Sequence, residues 1–240
     1  MLKSVYRADS NSAARKGMWV RLPPAAPEVD AVPTVECVAD PPDVTACFDR
    51  RRIDRVYSYL LGMYLGDGML TAAPRRVWRL RITLDTRYPG IVDRCESAMT
   101  SFGDRAVGRA RKIGCVELYS NWKHWLCAFP QHGAGSKHRR QIELIEWQQQ
   151  VVDAYPADFL TGLIHSDGCR SINRATPRGR LPLYEYPRYY FTNHSEAIRG
   201  LFVDACSKLG VECRPSNPFV ISVARRASVQ ILDSFIGPKR

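Results

Sequence analysis

The chain has 240 residues, enough for one large domain or two small ones with a real core, which excludes a small disulfide-stapled scaffold. Lys and Arg number 35 against 24 Asp and Glu, a formal charge of +11, and that excess favours a polyanionic partner, nucleic acid before an anionic membrane surface. A hydrophobic fraction of 45% excludes wholesale disorder, and no apolar run approaches the roughly 18 to 20 residues of a spanning helix.

Met1-Leu2-Lys3-Ser4 opens no apolar signal core, so a cytoplasmic location and no membrane partner are expected. The eight cysteines are scattered without a Cys-x-x-Cys pair, as buried thiols are in a reducing compartment, and Cys127, His132 and His138 match no zinc spacing. Residues 1–50, broken by Pro23, Pro24, Pro27, Pro33, Pro41 and Pro42, read as a flexible leader.

From Arg50 the chain repeats itself. In the first pass an apolar helix runs from Ile53 to Gly66 and ends at Asp67-Gly68. Strand 77–84 follows, with Trp78, Leu80, Ile82 and Leu84 on one face and Arg79, Arg81 and Thr83 on the other. Ile91, Val92, Cys95, Ala98, Met99 and Phe102 recur at helical spacing, with Gly103 as the stop. A strand at Val116–Tyr119 and a short helix at Trp122–Phe129 complete the unit.

A linking helix is expected over Gln141–Tyr155, then a turn at Pro156-Ala157-Asp158 with Asp158 as N-cap. The second pass has an apolar helix at Phe159–Ser166 ending in Asp167-Gly168 and a basic insertion at Ser171–Pro182. Arg188–Thr192 supplies the strand, Ile198–Leu209 the amphipathic helix and Gly210 its stop; a strand at Val220–Val223 and a helix at Ser228–Phe235 close the unit. The order is α-β-α-β-α both times.

The two apolar helices, Leu60 to Gly68 and Leu160 to Gly168, align at a spacing of 100 residues. Gly62 with Gly66, and Gly162 with Ser166, give each a flat face four residues apart on which another backbone can come close. Packing those faces together would bring Asp67 and Asp167 side by side. A carboxylate at a helix C-terminus opposes the macrodipole, at a cost of roughly 0.3 to 1 kcal/mol, and two together repel. A divalent cation reverses both effects, and hard oxygen ligands suit Mg²⁺.

Both segments resemble the dodecapeptide (LAGLIDADG, DOD-type) motif of homing endonucleases in the single-chain, two-motif form, over about residues 51–240. Asp67 and Asp167 match the motif's acidic metal ligand; its sixth position is Leu65 in one copy and His165 in the other, where we expect a packing or substrate-side role. Lys137-His138-Arg139-Arg140 and Tyr184-Glu185-Tyr186-Pro187-Arg188-Tyr189 are similar to an actinobacterial subgroup of that family.

The resemblance implies an α+β fold: two pseudo-symmetric αββαββα units, 51–138 and, with the linking helix, 139–240, whose sheets form a saddle over duplex DNA. It implies a monomer with an internal pseudo-two-fold and an Mg²⁺-dependent, site-specific endonuclease. Two or more divalent ions would be held by Asp67 and Asp167 with the Gly66 and Ser166 carbonyls. Such enzymes cut both strands across the minor groove. Lys137 and Lys239, each after the last helix of its half, stand where the family keeps a basic group near the reaction. Contacts to DNA are expected from Arg79, Arg81, Thr83, Arg188 and Thr192 on the strands, and from Arg174, Arg178, Arg180, Arg225 and Arg226. The alternatives are an inactive DNA-binding transcriptional regulator on the same scaffold and an intron RNA maturase. A splicing intein is not expected, since the chain has neither a Cys or Ser start nor a terminal His-Asn.

Overall fold

Helix α1, Arg55–Asp67, starts where the Asp54 carboxylate accepts from the Val56 and Tyr57 amides at 2.7 and 3.4 Å. At its other end Gly68 is fully extended, so the chain passes from helix directly into strand β1, Gly68–Ala73. Strand β2, Val77–Asp85, returns antiparallel with Gly68 opposite Ile82. These elements belong to a computed structural model that describes residues 53–175, 184–236 and 239. The expected leader and Arg178 and Arg180 lie outside the described residues.

Helix α2, Pro89–Gly103, strands β3, Gly108–Lys112, and β4, Cys115–Trp122, and helix α3, Trp125–Ala128, complete the first unit. After a 3-10 turn at Lys137–Arg139 and helix α4, Glu146–Ala154, the order repeats. The second unit is α5, Pro156–Asp167; β5, Gly168–Ala175; β6, Tyr184–Thr192; α6, Glu196–Lys208; β7, Arg214–Asn217; β8, Val220–Val223; and α7, Arg226–Asp233. Each unit is αββαββα, and its four strands form one antiparallel sheet, ordered β1-β2-β4-β3 and β5-β6-β8-β7. The expected α+β class is the one found.

The period-two reading of β2 holds: Trp78, Leu80, Ile82 and Leu84 are buried, while Arg79 and Thr83 are exposed. Its buried face meets an aromatic core of Tyr57, Tyr64, Phe102, Trp125 and Phe129, the Tyr64 and Phe129 rings stacked at 4.1 Å. The second core centres on Phe159, Tyr189, Phe191 and Phe202, with Phe191 and Phe202 stacked at 4.5 Å. Among the described residues no helix is long and apolar enough to cross a membrane.

Several local expectations need correction. The linking helix is shorter than 141–155, because Gln131 donates to the Glu143 carbonyl at 2.8 Å and holds that stretch non-helical. The Gln148 side chain then accepts from the Ile145 amide at 3.2 Å as α4 begins. Asp158 is not an N-cap: Pro156, pre-set for a first helical turn, starts α5 earlier, and Asp158 faces Arg55 at 3.3 Å and Arg94 at 3.7 Å.

Gly103 does not end α2 in the left-handed conformation. Asp104 takes that position at φ 50°, while Gly103 makes room for the Trp125 ring, 3.0 Å from where a Cβ would stand. Gly210 does adopt it, at φ 68°. Trp122 belongs to β4 and pairs with Trp78, so the short helix starts only at Trp125. The expected insertion from Ser171 is partly strand, since β5 runs to Ala175. The cysteines depart from the expected set of buried thiols: Cys95 and Cys206 are buried free thiols, Cys115, Cys169 and Cys213 are free but not buried, and Cys127 is disulfide-bonded.

Candidate functional site

The site is made by α1 and α5 meeting backbone to backbone. A Cβ added to Gly62 would stand 2.5 Å from the Phe159 carbonyl oxygen and 3.0 Å from Gly162 Cα. One added to Gly162 would stand 2.2 Å from the Tyr59 oxygen. Nearer the C-termini, a Cβ on Gly66 would meet Ser166 Oγ at 2.1 Å and Asp167 Oδ2 at 3.1 Å. The four small residues therefore face one another, and Asp67 and Asp167 leave the helix pair at the same end.

That proximity is visible in the acid–base balance. Asp67 keeps solvent on one side, yet the crowding around it pushes its carboxyl up to about 6, with the Asp167 charge adding to the shift. Lys137 and Lys239 pull it back. Burial also raises Asp167, opposed by Asn193, whose Nδ2 donates to Asp167 Oδ2 at 2.6 Å, and by the same two lysines.

Both lysines reach the helix ends. Lys137 Nζ donates to the carbonyls of Tyr64, Gly66 and Gly68 at 2.6, 2.7 and 2.9 Å, and burial draws its ammonium down to about 8. Lys239 Nζ donates to the His165 carbonyl at 3.0 Å and stands 5.6 Å from the Tyr88 ring centroid; burial lowers it too. The Ser166 hydroxyl donates back along its own helix to the Gly162 and Leu163 carbonyls at 3.0 and 3.1 Å. His165 is buried with Nδ1 3.2 Å from the Tyr59 hydroxyl, and desolvation lowers it to about 3, a neutral packing residue.

This donor set can be tested against the ion the motif implies. Two crowded carboxylates with elevated proton affinity beside helix-end carbonyls are hard oxygen donors, and they suit Mg²⁺. Among the described residues no cluster of three His, Cys, Asp or Glu side chains exists, so the remaining ligands would be carbonyl, phosphate and water oxygens.

The strand residues fall into two groups. Arg79, Arg81 and Thr83 share the outward face of β2, with Arg79 Nε donating to Asn121 at 2.9 Å and Arg81 Nε buried without a partner. Arg188 and Thr192 share the outward face of β6; Arg188 Nε donates to Ser222 Oγ at 2.6 Å. Arg174 pairs with Glu185 at 2.6 Å across the strands. Arg225, paired with Glu212, and Arg226 stand past the end of β8 at the start of α7, off the strand faces.

Asn193 is a site residue that sequence reasoning misses. Its carbonyl accepts from Arg199 at 2.7 Å and its Oδ1 from the Ser195 amide at 2.8 Å, so it is held in place to meet Asp167. The available signal is a mismatch between the halves: Thr83 is followed by Leu84, whereas Thr192 is followed by Asn193. Beside it lies a cavity of about 550 Å³ lined by Gly66, Lys137, Arg140, Asp167, Asn193 and His194.

No protein-family model and no curated protein matches the chain. Solved structures do. Mesophilic variants of the homing endonuclease I-DmoI are 14% identical over 77% of this chain and 92% of theirs, with a TM-score of 0.52. I-DmoI in complex with DNA and Mn is 14% identical over 77% of this chain and 97% of that one, with a TM-score of 0.51. The N-terminal LAGLIDADG domain of DUF199/WhiA is 14% identical over 79% and 83%, with a TM-score of 0.48. The two I-DmoI likenesses establish the fold, that of a LAGLIDADG homing endonuclease.

Proposed function

We propose that the chain is a site-specific endonuclease for double-stranded DNA, of homing type, acting as a cytoplasmic monomer with halves 51–138 and 139–240. The observation that carries this reading is the convergence of Asp67 and Asp167, with Lys137 and Lys239, on one end of a glycine-sealed helix pair. A structural role alone does not select two crowded acids at helix C-termini.

Asp67 and Asp167, with the Gly66 and Ser166 carbonyls, would hold two or more Mg²⁺ ions. Bound there, the metal would supply Lewis-acid stabilisation of the attacking and leaving oxygens at each scissile phosphate. Asn193 holds Asp167 in one orientation. Lys137 and Lys239 place positive charge where negative charge develops on the phosphate. Arg79, Arg81, Thr83, Arg188 and Thr192 offer an outward polar surface to the duplex. On it phosphate contacts would position the protein and base contacts would specify the site. Arg174, Arg178, Arg180, Arg225 and Arg226 would add peripheral phosphate contacts.

The test is cleavage, with Mg²⁺, of the DNA flanking the gene, run beside a gel shift. Asp67→Asn and Asp167→Asn are each expected to lower double-strand cleavage about a hundredfold or more while leaving DNA binding largely intact. Undiminished cutting by either variant refutes the assigned roles. Specific duplex binding without nicking would make the chain a regulator, and preference for intron RNA at fixed salt would make it a maturase.

A further inference from the structure

The two motif helices end differently. α1 has no basic residue in its last turn and finishes on Asp67, so unsatisfied carbonyls and a carboxylate share one negative end. The cation that answers it comes from 71 residues beyond Gly66: all three Lys137 ammonium protons are accounted for by the Tyr64, Gly66 and Gly68 carbonyls. Lys137 dips inward from a 3-10 turn while its neighbours Ser136 and His138 stay exposed. At the end of α5, Lys239 meets one carbonyl among the described residues, that of His165.

We infer that Lys137 is the resident cation of the first motif: its ammonium neutralises the α1 C-terminus in the metal-free chain and competes there with the divalent ion for the Gly66 carbonyl. The inference rests on the proposed reading of Asp67 and Asp167 as a metal site. Two cations drawn to one group of oxygens repel each other, so lysine and ion are negatively coupled, and by linkage each weakens the other equally. Lys137 thus supports the fold most when metal is absent. Lys239, with one carbonyl partner among the described residues, contributes less.

Thermal unfolding of the wild type, Lys137→Met and Lys239→Met, each in EDTA and in Mg²⁺ or Mn²⁺, reads this without DNA or cleavage. In EDTA, Lys137→Met is expected to unfold about 5 °C below wild type and Lys239→Met less than half as far below. Added metal should raise the melting temperature of Lys137→Met more than that of wild type. Calorimetric titration should show the ion bound roughly fivefold or more tightly by that variant. Equal metal responses in the two chains, or weaker metal binding by Lys137→Met, overturn the inference and leave the metal site standing. No metal response in either chain overturns the metal site as well. Should Lys137→Met fail to fold, ¹⁵N spectroscopy of the wild-type lysine ammonium groups decides. The Lys137 signal is expected to shift or lose protection as Mg²⁺ is added. An unchanged Lys137 signal, in a titration that moves the Gly66 and Asp67 amides, refutes the competition.

Discussion

Gly62→Ala is expected to destabilise the protein even though alanine is the better helix former. The added Cβ would stand 2.5 Å from the Phe159 oxygen, 2.8 Å from the Leu163 nitrogen and 3.0 Å from Gly162 Cα, all backbone atoms that no rotamer change can move. Comfortable contacts lie near 3.5 Å, so α1 and α5 must part by about 1 Å, and a gap of that order forfeits at least a quarter of each dispersion contact across it. With about 40 contacts of roughly 0.1 kcal/mol for a leucine-sized side chain, that loss on two such side chains costs about 2 kcal/mol. Strain adds about 1 kcal/mol or more, and the helix-propensity gain returns up to about 1 kcal/mol, leaving a net loss near 2 kcal/mol. For a chain of this length that lowers the melting temperature by about 4 to 8 °C. Gly200, inside α6 with open space for 4 Å around the place a Cβ would take, is the control. Gly200→Ala should stabilise by about 0.5 to 1 kcal/mol. Denaturant unfolding followed by circular dichroism compares the two; a Gly62→Ala variant that matches Gly200→Ala in sign refutes the close-packed helix pair.

Two further outcomes follow from side chains outside the helix pair. Hydrogen bonds from Arg170 at 2.7 and 2.8 Å, with one from the Tyr189 hydroxyl, hold the Asp233 carboxyl below the usual carboxylate range. A depressed folded value means the stabilisation is present above the unfolded pKa, near 4, and is lost as pH falls through the folded one. Asp233→Asn should therefore flatten the stability loss of wild type below about pH 4, read by urea midpoints; an unchanged acid limb argues against the pairing. Arg79→Ala and Arg81→Ala should each reduce the slope of log affinity against log salt by about 1 if the residue meets a phosphate, as measured by fluorescence anisotropy with duplex DNA. Unchanged slopes would remove the β2 face from the DNA interface.

What the sequence made legible was whatever each segment needed for itself. β2 alternates because one of its faces is buried, and Trp78, Leu80, Ile82 and Leu84 carry that pattern on their own. Two of the four outer strands do not: β3 reads Gly-Arg-Ala-Arg-Lys and β7 reads Arg-Pro-Ser-Asn with every residue exposed, so each is a strand only because β4 or β8 lies beside it. Asp104 was hidden for a similar reason, since Trp125 required the small residue at Gly103 and displaced the helix stop by one position.

The same division runs through the candidate site. Where α1 meets α5, backbone touches backbone, and only glycine or another small residue at a fixed helical interval permits it; that constraint is local and appears as Gly62, Gly66, Gly162 and Ser166. The negative end this creates can be answered by any cation with enough reach. Lys137 answers it from a 3-10 turn, and Asn193 steadies Asp167 from a loop, over 71 and 26 residues respectively. Neither partner has to occur at a particular spacing from the helix it serves, so no periodicity announces it. The acids are therefore readable from their own helices, Lys137 only through the resemblance to the family pattern, and Asn193 only when its loop is folded back over Asp167.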